Sequence, residues 1–472
     1  MKEFLSDNIA DMFAAGPVVV AKSAFATAPV IGVTLRRNDE LDIILELTSH
    51  ERRNDNPQRY SAGTVRRADE EVEFAHAAGW KSIARGVVEG GWRSGSNAAG
   101  EYETVETYSA QSVELDFQRQ VRSSYVIEWI LNVPDGLIWT EPVRFSGVET
   151  LTKAVGSGDS EIRMATSFES HGGNNALHLK ILGMDLYVMR SIDRDAEDKK
   201  RPGQIVYRGC PDQAFRDKVR TCLSFILGKQ IVYLGHTEYC TEWTPTFMRS
   251  VDGLSINGAV FRLHDQPPYP INQSQYANMI DQRHVSVLVS AVLDKFDTIK
   301  FGELSWSYWY AMCAPVHAAA VHFGSLIEQL QNNSNTVIEV RKGLLETDTW
   351  KDLRCVIQQW IDTASIGLDV RRILKGKVSG LNQAPQGLVL KRLFEAMGLE
   401  ISEAETQAWK HRNMAAHGGV SDSPVEVIIN SKILRLLFHR MLAGITYCSD
   451  RYIDYYNLEH PVRVVGEAVP GR

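Results

Sequence analysis

The chain is poor in cysteine, and no two of its cysteines form a C-x-x-C pair. Six in 472 residues, at Cys210, Cys222, Cys240, Cys313, Cys355 and Cys448, are too sparse for a disulfide framework and fit a reducing cytoplasm. Long apolar runs are missing too. None approaches the ~18 to 20 residues that a membrane span needs. The alanine- and valine-rich stretch from Ile9 to Val33, with its Ala24-Phe25-Ala26 string, is broken by Gly16, Pro17, Lys22 and Pro29. Glu3, Asp7 and Asp11 stand where a secretory signal carries positive charge. A soluble cytoplasmic protein with no membrane partner is expected. Internal repeats and low-complexity segments are absent, which argues against a repeat architecture. An excess of basic charge is absent as well. Lys plus Arg is 51, Asp plus Glu is 58, and the net charge is −7, which argues against a basic coat over the whole chain.

What is present is globular composition, 44% hydrophobic and 23% charged, at a length that predicts two or three domains. Pro17–Ala21, Val30–Arg36, Leu41–Leu47 and Tyr125–Leu131 read as strands. So do Gln204–Tyr207 and Gln230–Tyr233, and Ala176–Arg190 reads as a hairpin broken at Gly183. Pro211–Leu227 has helical spacing. Residues 50 to 110, rich in Arg, Glu, Gly and Ser, are expected to form long loops. His171 to Asn175 reads as a turn.

From about residue 274 the period changes to helical. Gln275–Phe296 reads as one helix. Leu304–Gln331 follows with a possible kink at Pro315. Then come Trp350–Ala364, Ile366–Leu374, Gly387–Met397, Glu403–Ala416 and Val425–Tyr456. The expected fold is multidomain α+β: a β-rich part at 1–300, of one or two subdomains, then an antiparallel bundle of about five helices at 301–460 and a tail at 461–472.

Cys210, Cys222, His236 and Cys240 lie near one another in sequence. They suggest either a zinc site or buried free thiols. Structural zinc ligands usually come in tight pairs, and these do not. No metal and no other cofactor is expected.

The informative stretch is Trp409-Lys410-His411-Arg412-Asn413-Met414-Ala415-Ala416-His417-Gly418-Gly419. It holds an Arg-x4-His pattern with a polar residue directly after the arginine. Of the 13 histidines, only His417 has an arginine five to seven positions before it. Histidine moves protons near pH 7, and arginine is a permanent planar cation that grips phosphoryl oxygens. Those groups suit RNA cleavage without a metal, in which a 2′-hydroxyl attacks the adjacent phosphorus. The products would be a 2′,3′-cyclic phosphate and a 5′-hydroxyl. Asn413 can hold a phosphate oxygen or fix the histidine tautomer. His417 can instead be a helix C-terminal residue facing the dipole.

Positions i and i+5 are ~140° apart around a helix, so Arg412 and His417 do not share a face, whereas Asn413 and His417 do. A symmetric dimer that joins two motifs answers this problem. Between Arg371 and His417 eight basic residues face four acidic ones, so the window nets +4. Lys410, His411, Arg371 and Arg372 are the candidate RNA contacts, against the alternative of a solvated helix face. Residues 301 to 472 hold 18 basic and 18 acidic side chains, so the whole −7 falls on the first 300. Trp306, Tyr308, Trp309 and Tyr310 can stack bases, or fill the bundle core or a dimer interface. Tyr452, Tyr455 and Tyr456 carry the same alternatives.

The motif, the single upstream carboxylate Glu328 in Phe323-Gly324-Ser325-Leu326-Ile327-Glu328, and the closing string Asp450 to Tyr456 together resemble the HEPN superfamily. They are most similar to the HEPN domains of ApeA-type anti-phage proteins. The resemblance covers roughly residues 302 to 460. It implies a homodimeric or higher-order endoribonuclease acting in abortive infection. It assigns Arg412, Asn413 and His417 to catalysis; Glu328 reads either as a partner of Arg412 or as part of a polar, solvated stripe. An unknown phage trigger and a regulatory N-terminal domain are implied with it. In the last helix, Ala443-Gly444-Ile445-Thr446-Tyr447 departs from the Leu-Gly-Tyr turn of the relatives. A non-catalytic nucleotide-binding or dimerisation module is the alternative.

Overall fold

The computed structural model describes residues 13, 18–23, 29–38, 41–51, 70–96, 99–134, 138–142, 149–155, 162–168, 174–190, 202–253, 266–274, 277–416 and 423–471. For 142, 149–155, 162–168, 174, 274, 277 and 413–416 only the backbone is described. The chain divides into two compact units. One comprises Met1–Gln266 with Ile271–Val289, and the other Pro267–Pro270 with Ser290–Arg472.

The first unit is built of antiparallel sheet. Its strands are β1 (Val18–Ser23), β2 (Val30–Arg37), β3 (Ile43–Ser49), β4 (Glu71–His76), β5 (Lys81–Arg85), β6 (Val88–Ser96), β7 (Tyr102–Ala110), β8 (Ser112–Asp116) and β9 (Tyr125–Leu131). They continue as β10 (Glu141–Pro142), β11 (Glu149–Val155), β12 (Ile162–Phe168), β13 (Asn174–Ile181), β14 (Met184–Arg190), β15 (Gly203–Tyr207), β16 (Val232–Tyr239) and β17 (Pro245–Val251). Eleven strands form one sheet in the order β1-β4-β5-β8-β17-β16-β9-β15-β14-β13-β10, and a four-stranded sheet runs β2-β3-β7-β6.

The alternation of Ile43, Leu45 and Leu47 turns those side chains to a core shared with Val72, Phe74, Tyr108, Val113 and Leu115, which is why the period-2 reading located these strands. The long loops expected over residues 50 to 110 are corrected where the chain is described: β4 to β7 lie there. Their polar residues occupy the exposed positions of alternating strands, as in β4, where Val72, Phe74 and His76 are buried and Glu71 and Ala75 exposed. Residues 52–69, 171–173 and the Ala24-Phe25-Ala26 string lie outside the described residues.

Helix α1 (Gln213–Ile226) starts at Asp212, whose carboxylate accepts from Phe215 N at 2.7 Å. Helix α2 runs Gln282–Asp294. Its expected start at Gln275 is corrected, because Ala277–Ile280 pairs as a strand with Asn272–Ser274.

From residue 301 the described chain is predominantly helical. Helices α3 (Phe301–Cys313), α4 (Val316–Asn333), α5 (Thr347–Thr363), α6 (Leu368–Gly380), α7 (Gln386–Ala396), α8 (Glu403–Ala416) and α9 (Pro424–Thr446) follow one another. Seven helices among the described residues replace the expected five or so. Proline explains one of the extra helices: Pro315 at ψ 147 ends α3 and caps α4 instead of kinking one long helix. Helix α4 packs against α3, α8 and α9, and α9 packs against α8. Between them lie Leu304, Trp309, Phe323, Leu326, Leu330, Ala408, Leu434, Leu437, Phe438 and Met441, all buried.

The last helix ends ten residues before the expected Tyr456. Tyr447 takes a left-handed conformation, φ 54 and ψ 27, and closes the helix. Arg451–Ile453 then pairs with Val462–Val464. The buried Asp454 carboxylate accepts from Tyr456 N at 3.0 Å and Asn457 N at 3.2 Å, a local turn that competes with helix. No helix among the described residues is long and apolar enough to cross a membrane.

Candidate functional site

Helix α8 carries the motif arginine, Arg412, and its start is fixed twice. Ser402 N donates to Glu405 Oε2 at 2.8 Å while Glu405 N donates to Ser402 Oγ at 3.1 Å, a reciprocal capping box. Glu405 also accepts from Arg440 of α9, and both side chains are fully buried. Arg440 Nε donates to Val465 O at 3.0 Å and its Nη2 to Glu400 O at 2.7 Å. The buried cation is thereby satisfied on three sides, and the C-terminal segment is tied to the base of α8.

At the other end of α8, Arg412 is only 8% exposed. Its Nη2 donates to Glu328 Oε1 of α4. Its guanidinium lies over the Trp409 ring, 3.7 Å from the centroid. A cation held on an indole face gains ~0.5–2 kcal/mol, depending on how far water is removed. The arginine stem crosses α4 at Gly324, where a Cβ would overlap Arg412 Cδ. Trp409 itself is buried, with Gly387 of α7 against its edge. Arg412 Nε is buried and finds no hydrogen-bond partner among the described residues, and the same holds for His411 Nδ1.

Glu328 and Arg412 are thus brought together. His417 lies outside the described residues, and of Asn413 only the backbone, within α8, is described. Lys410 is exposed on α8 and His411 half-buried beside it. Arg371 and Arg372 sit on α6 and are engaged locally. Arg371 Nη2 donates to Ala364 O at 3.0 Å, and Arg372 pairs with Asp369 at 3.8 Å.

The aromatic cluster divides. Tyr308 and Trp309 are core, whereas Trp306 and Tyr310 are exposed and meet edge to face with centroids 5.1 Å apart. Tyr452 is buried, and Tyr455 donates to Pro267 O at 2.7 Å.

Sequence reasoning missed Trp409 and Gly324 as parts of this constellation. A tryptophan three residues before the arginine, on the same helix face, was one available signal. A lone glycine inside a helical pattern, four residues before Glu328, was another.

In the first unit the cysteine region is built differently from a metal centre. Cys222 and Cys240 are buried and Cys210 is exposed. His236 Nδ1 is bonded to Tyr233 OH at 2.6 Å. Burial, with Arg216, Arg249 and Arg220 adding to it, lowers the His236 pKa to about 3. Among the described residues no group of three or more His, Cys, Asp or Glu side chains is placed to hold a metal ion. The polar feature of this unit is instead Glu128 on β9, fully buried, which accepts from Arg216 Nε at 3.0 Å and Arg220 Nη1 at 2.5 Å. Arg220 in turn stacks over Tyr233 at 4.1 Å.

No protein-family model, curated protein or solved structure matches the chain.

Proposed function

We propose that the helical unit is a HEPN-type, metal-independent endoribonuclease of the cytoplasm. In this reading it acts in anti-phage defence by abortive infection, and the β-rich unit senses infection or restrains the nuclease. Arg412 holds the phosphoryl oxygens. His417 moves the proton, and Asn413 orients one or the other. Lys410 and His411 border the RNA path. Two copies are needed, because positions i and i+5 of an ideal helix stand ~140° apart, so one copy does not turn Arg412 and His417 to one face.

The observation that supports this reading most is the junction of Arg412 with Glu328. The one upstream carboxylate that the family resemblance singles out does reach the motif arginine. Fixing that arginine between a carboxylate and an indole presets its fork before substrate arrives, and such preorganisation is what lets a cation stabilise a transition state. The test is to express Arg412→Ala and His417→Ala variants and measure RNA cleavage and phage protection. Loss of both activities with an intact fold is expected, and retained protection in both variants overturns the nuclease.

The same junction favours one second reading. An arginine this buried and this well paired also suits a non-catalytic module that binds nucleotide or dimerises. That module predicts no RNase activity under any trigger and a phenotype insensitive to His417.

A further inference from the structure

Helix α3 has two unlike sides. Phe301, Leu304, Tyr308 and Trp309 are buried, whereas Glu303, Trp306 and Tyr310 are exposed. The exposed three recur at i, i+3 and i+7, so they form one stripe along the helix. Large aromatic side chains are ordinarily buried, yet Trp306 stands 43% exposed and Tyr310 55%. Their edge-to-face contact leaves ring faces open to a third planar group.

Glu303 adds a fixed acceptor to the stripe. Its Oε2 accepts from Gln329 Nε2 of α4 at 3.3 Å, and Gln329 Oε1 accepts from Ser307 Oγ of α3 at 3.3 Å. That chain of hydrogen bonds orients the carboxylate. Among the described residues no cation pairs with Glu303, and its Oε1 accepts from nothing.

We propose that this stripe binds an unpaired guanine base, which stacks on the aromatic pair and turns its Watson–Crick edge to Glu303. Unstacked bases are recognised by laying them on aromatic rings and hydrogen-bonding their edges. A carboxylate offers acceptors only. Of the four RNA bases, guanine alone presents two adjacent donors on that edge, N1–H and the N2 amine, which one carboxylate takes together. Adenine, cytosine and uracil each set one donor beside an acceptor, and that acceptor meets the second carboxylate oxygen unfavourably.

Charge points the same way. An uncompensated carboxylate repels phosphate, so the stripe suits the base of a nucleotide and not its backbone. It disfavours an anionic membrane surface for the same reason. Gln329, which orients Glu303, directly follows Glu328, which holds Arg412. That the base belongs to the RNA strand gripped by Arg412 rests on the nuclease reading; the base site itself stands on α3 and α4 alone.

The experiment is calorimetric titration of the full chain with guanosine, adenosine, cytidine and uridine 5′-monophosphates, and with single-stranded oligoribonucleotides holding one guanine or one adenine. At least ~10-fold tighter binding of the guanine member is expected. Glu303→Gln keeps the size but replaces one acceptor by a donor, and is expected to erase the preference. Tyr310→Ala is expected to weaken every base alike, by about ten-fold. Both side chains are exposed, so the variants keep their fold, which circular dichroism checks. A preference in the oligonucleotides alone assigns the base to an RNA strand, and one with the monophosphate alone assigns it to a free nucleotide. No preference in either arm overturns the proposal. A preference that survives Glu303→Gln overturns it too, and leaves Glu303 as a first-turn charge facing the helix dipole. RNA cleavage plays no part in the readout. A chain that prefers guanine but never cuts RNA loses the nuclease and keeps this site, and a chain that cuts RNA without the preference does the reverse.

Discussion

Arg412 and Glu328 lie 84 positions apart and meet across α4 and α8, with Trp409 under the guanidinium and Gly324 leaving room for its stem. Every part of that arrangement is open to substitution.

Glu328→Gln keeps the shape and removes the charge. The Glu328 side chain is about one-third exposed, so solvent screens the pair. The stability cost is about 1 kcal/mol or less, read from urea unfolding. In the nuclease reading RNA cleavage falls by ten-fold or more, because the fork of Arg412 loses its anchor. A variant with unchanged activity would show that the carboxylate does not orient the arginine.

Gly324→Ala sets a methyl group against Arg412 Cδ. Overpacking of this kind costs ~1–3 kcal/mol, and Arg412 must leave the Trp409 face. Gly376 of α6 supplies the control, since a Cβ there meets nothing within 4 Å. Gly376→Ala is expected to stabilise the chain by up to ~1 kcal/mol through helix propensity. Thermal unfolding of the two variants, shifting in opposite directions, checks both statements.

Glu405→Ala removes the carboxylate that pairs with Arg440, and both side chains are fully buried. Stranding a buried cation costs ~3–5 kcal/mol. Loss of the capping box adds about 1 kcal/mol. The midpoint in urea is expected to fall sharply. A change within about 0.5 kcal/mol of wild type would contradict the burial of this pair.

Both units carry a histidine that burial keeps neutral. His236 is depressed to about 3. His439 is held well below its ordinary value by burial, with Arg435 adding to the effect. A lowered folded pKa means that the unfolded chain binds the proton more tightly. The stability contribution is therefore complete above the unfolded pKa of ~6.5 and declines as pH falls from there. For His236 the loss reaches about 2 kcal/mol by pH 5. Urea unfolding at pH 7.5 and pH 5 is expected to show it, with a flatter profile in His236→Gln. An equally steep profile in that variant refutes the assignment.

Much of the first unit was legible because alternation in β-branched and apolar residues is a local signal. Tyr125–Leu131 forms a strand over the expected bounds, and Gly183 breaks the expected hairpin. The strands of residues 71–110 were not legible, because Glu, Arg, Gly and Ser at exposed strand positions look like loop until a neighbouring strand covers the other face. The end of α9 was missed for a similar reason. Tyr452, Ile453, Tyr455 and Tyr456 have helical spacing, but the Asp454 carboxylate captures two backbone N–H groups and turns the chain. In the site, the arginine and its carboxylate were read from the motif and its context. Trp409 and Gly324 gain their meaning only when α4 and α8 are side by side.

The sequence by itself determined that a β-rich first part gives way to a helical second part and the bounds of α8, because both follow from local spacing and composition. Tertiary structure alone decided three things: that Arg412 is clamped between Glu328 and Trp409, that Arg440 locks the base of α8, and that Trp306 and Tyr310 stay exposed while Tyr308 and Trp309 are core. Each depends on which faces meet across tens of residues, and no local periodicity encodes that.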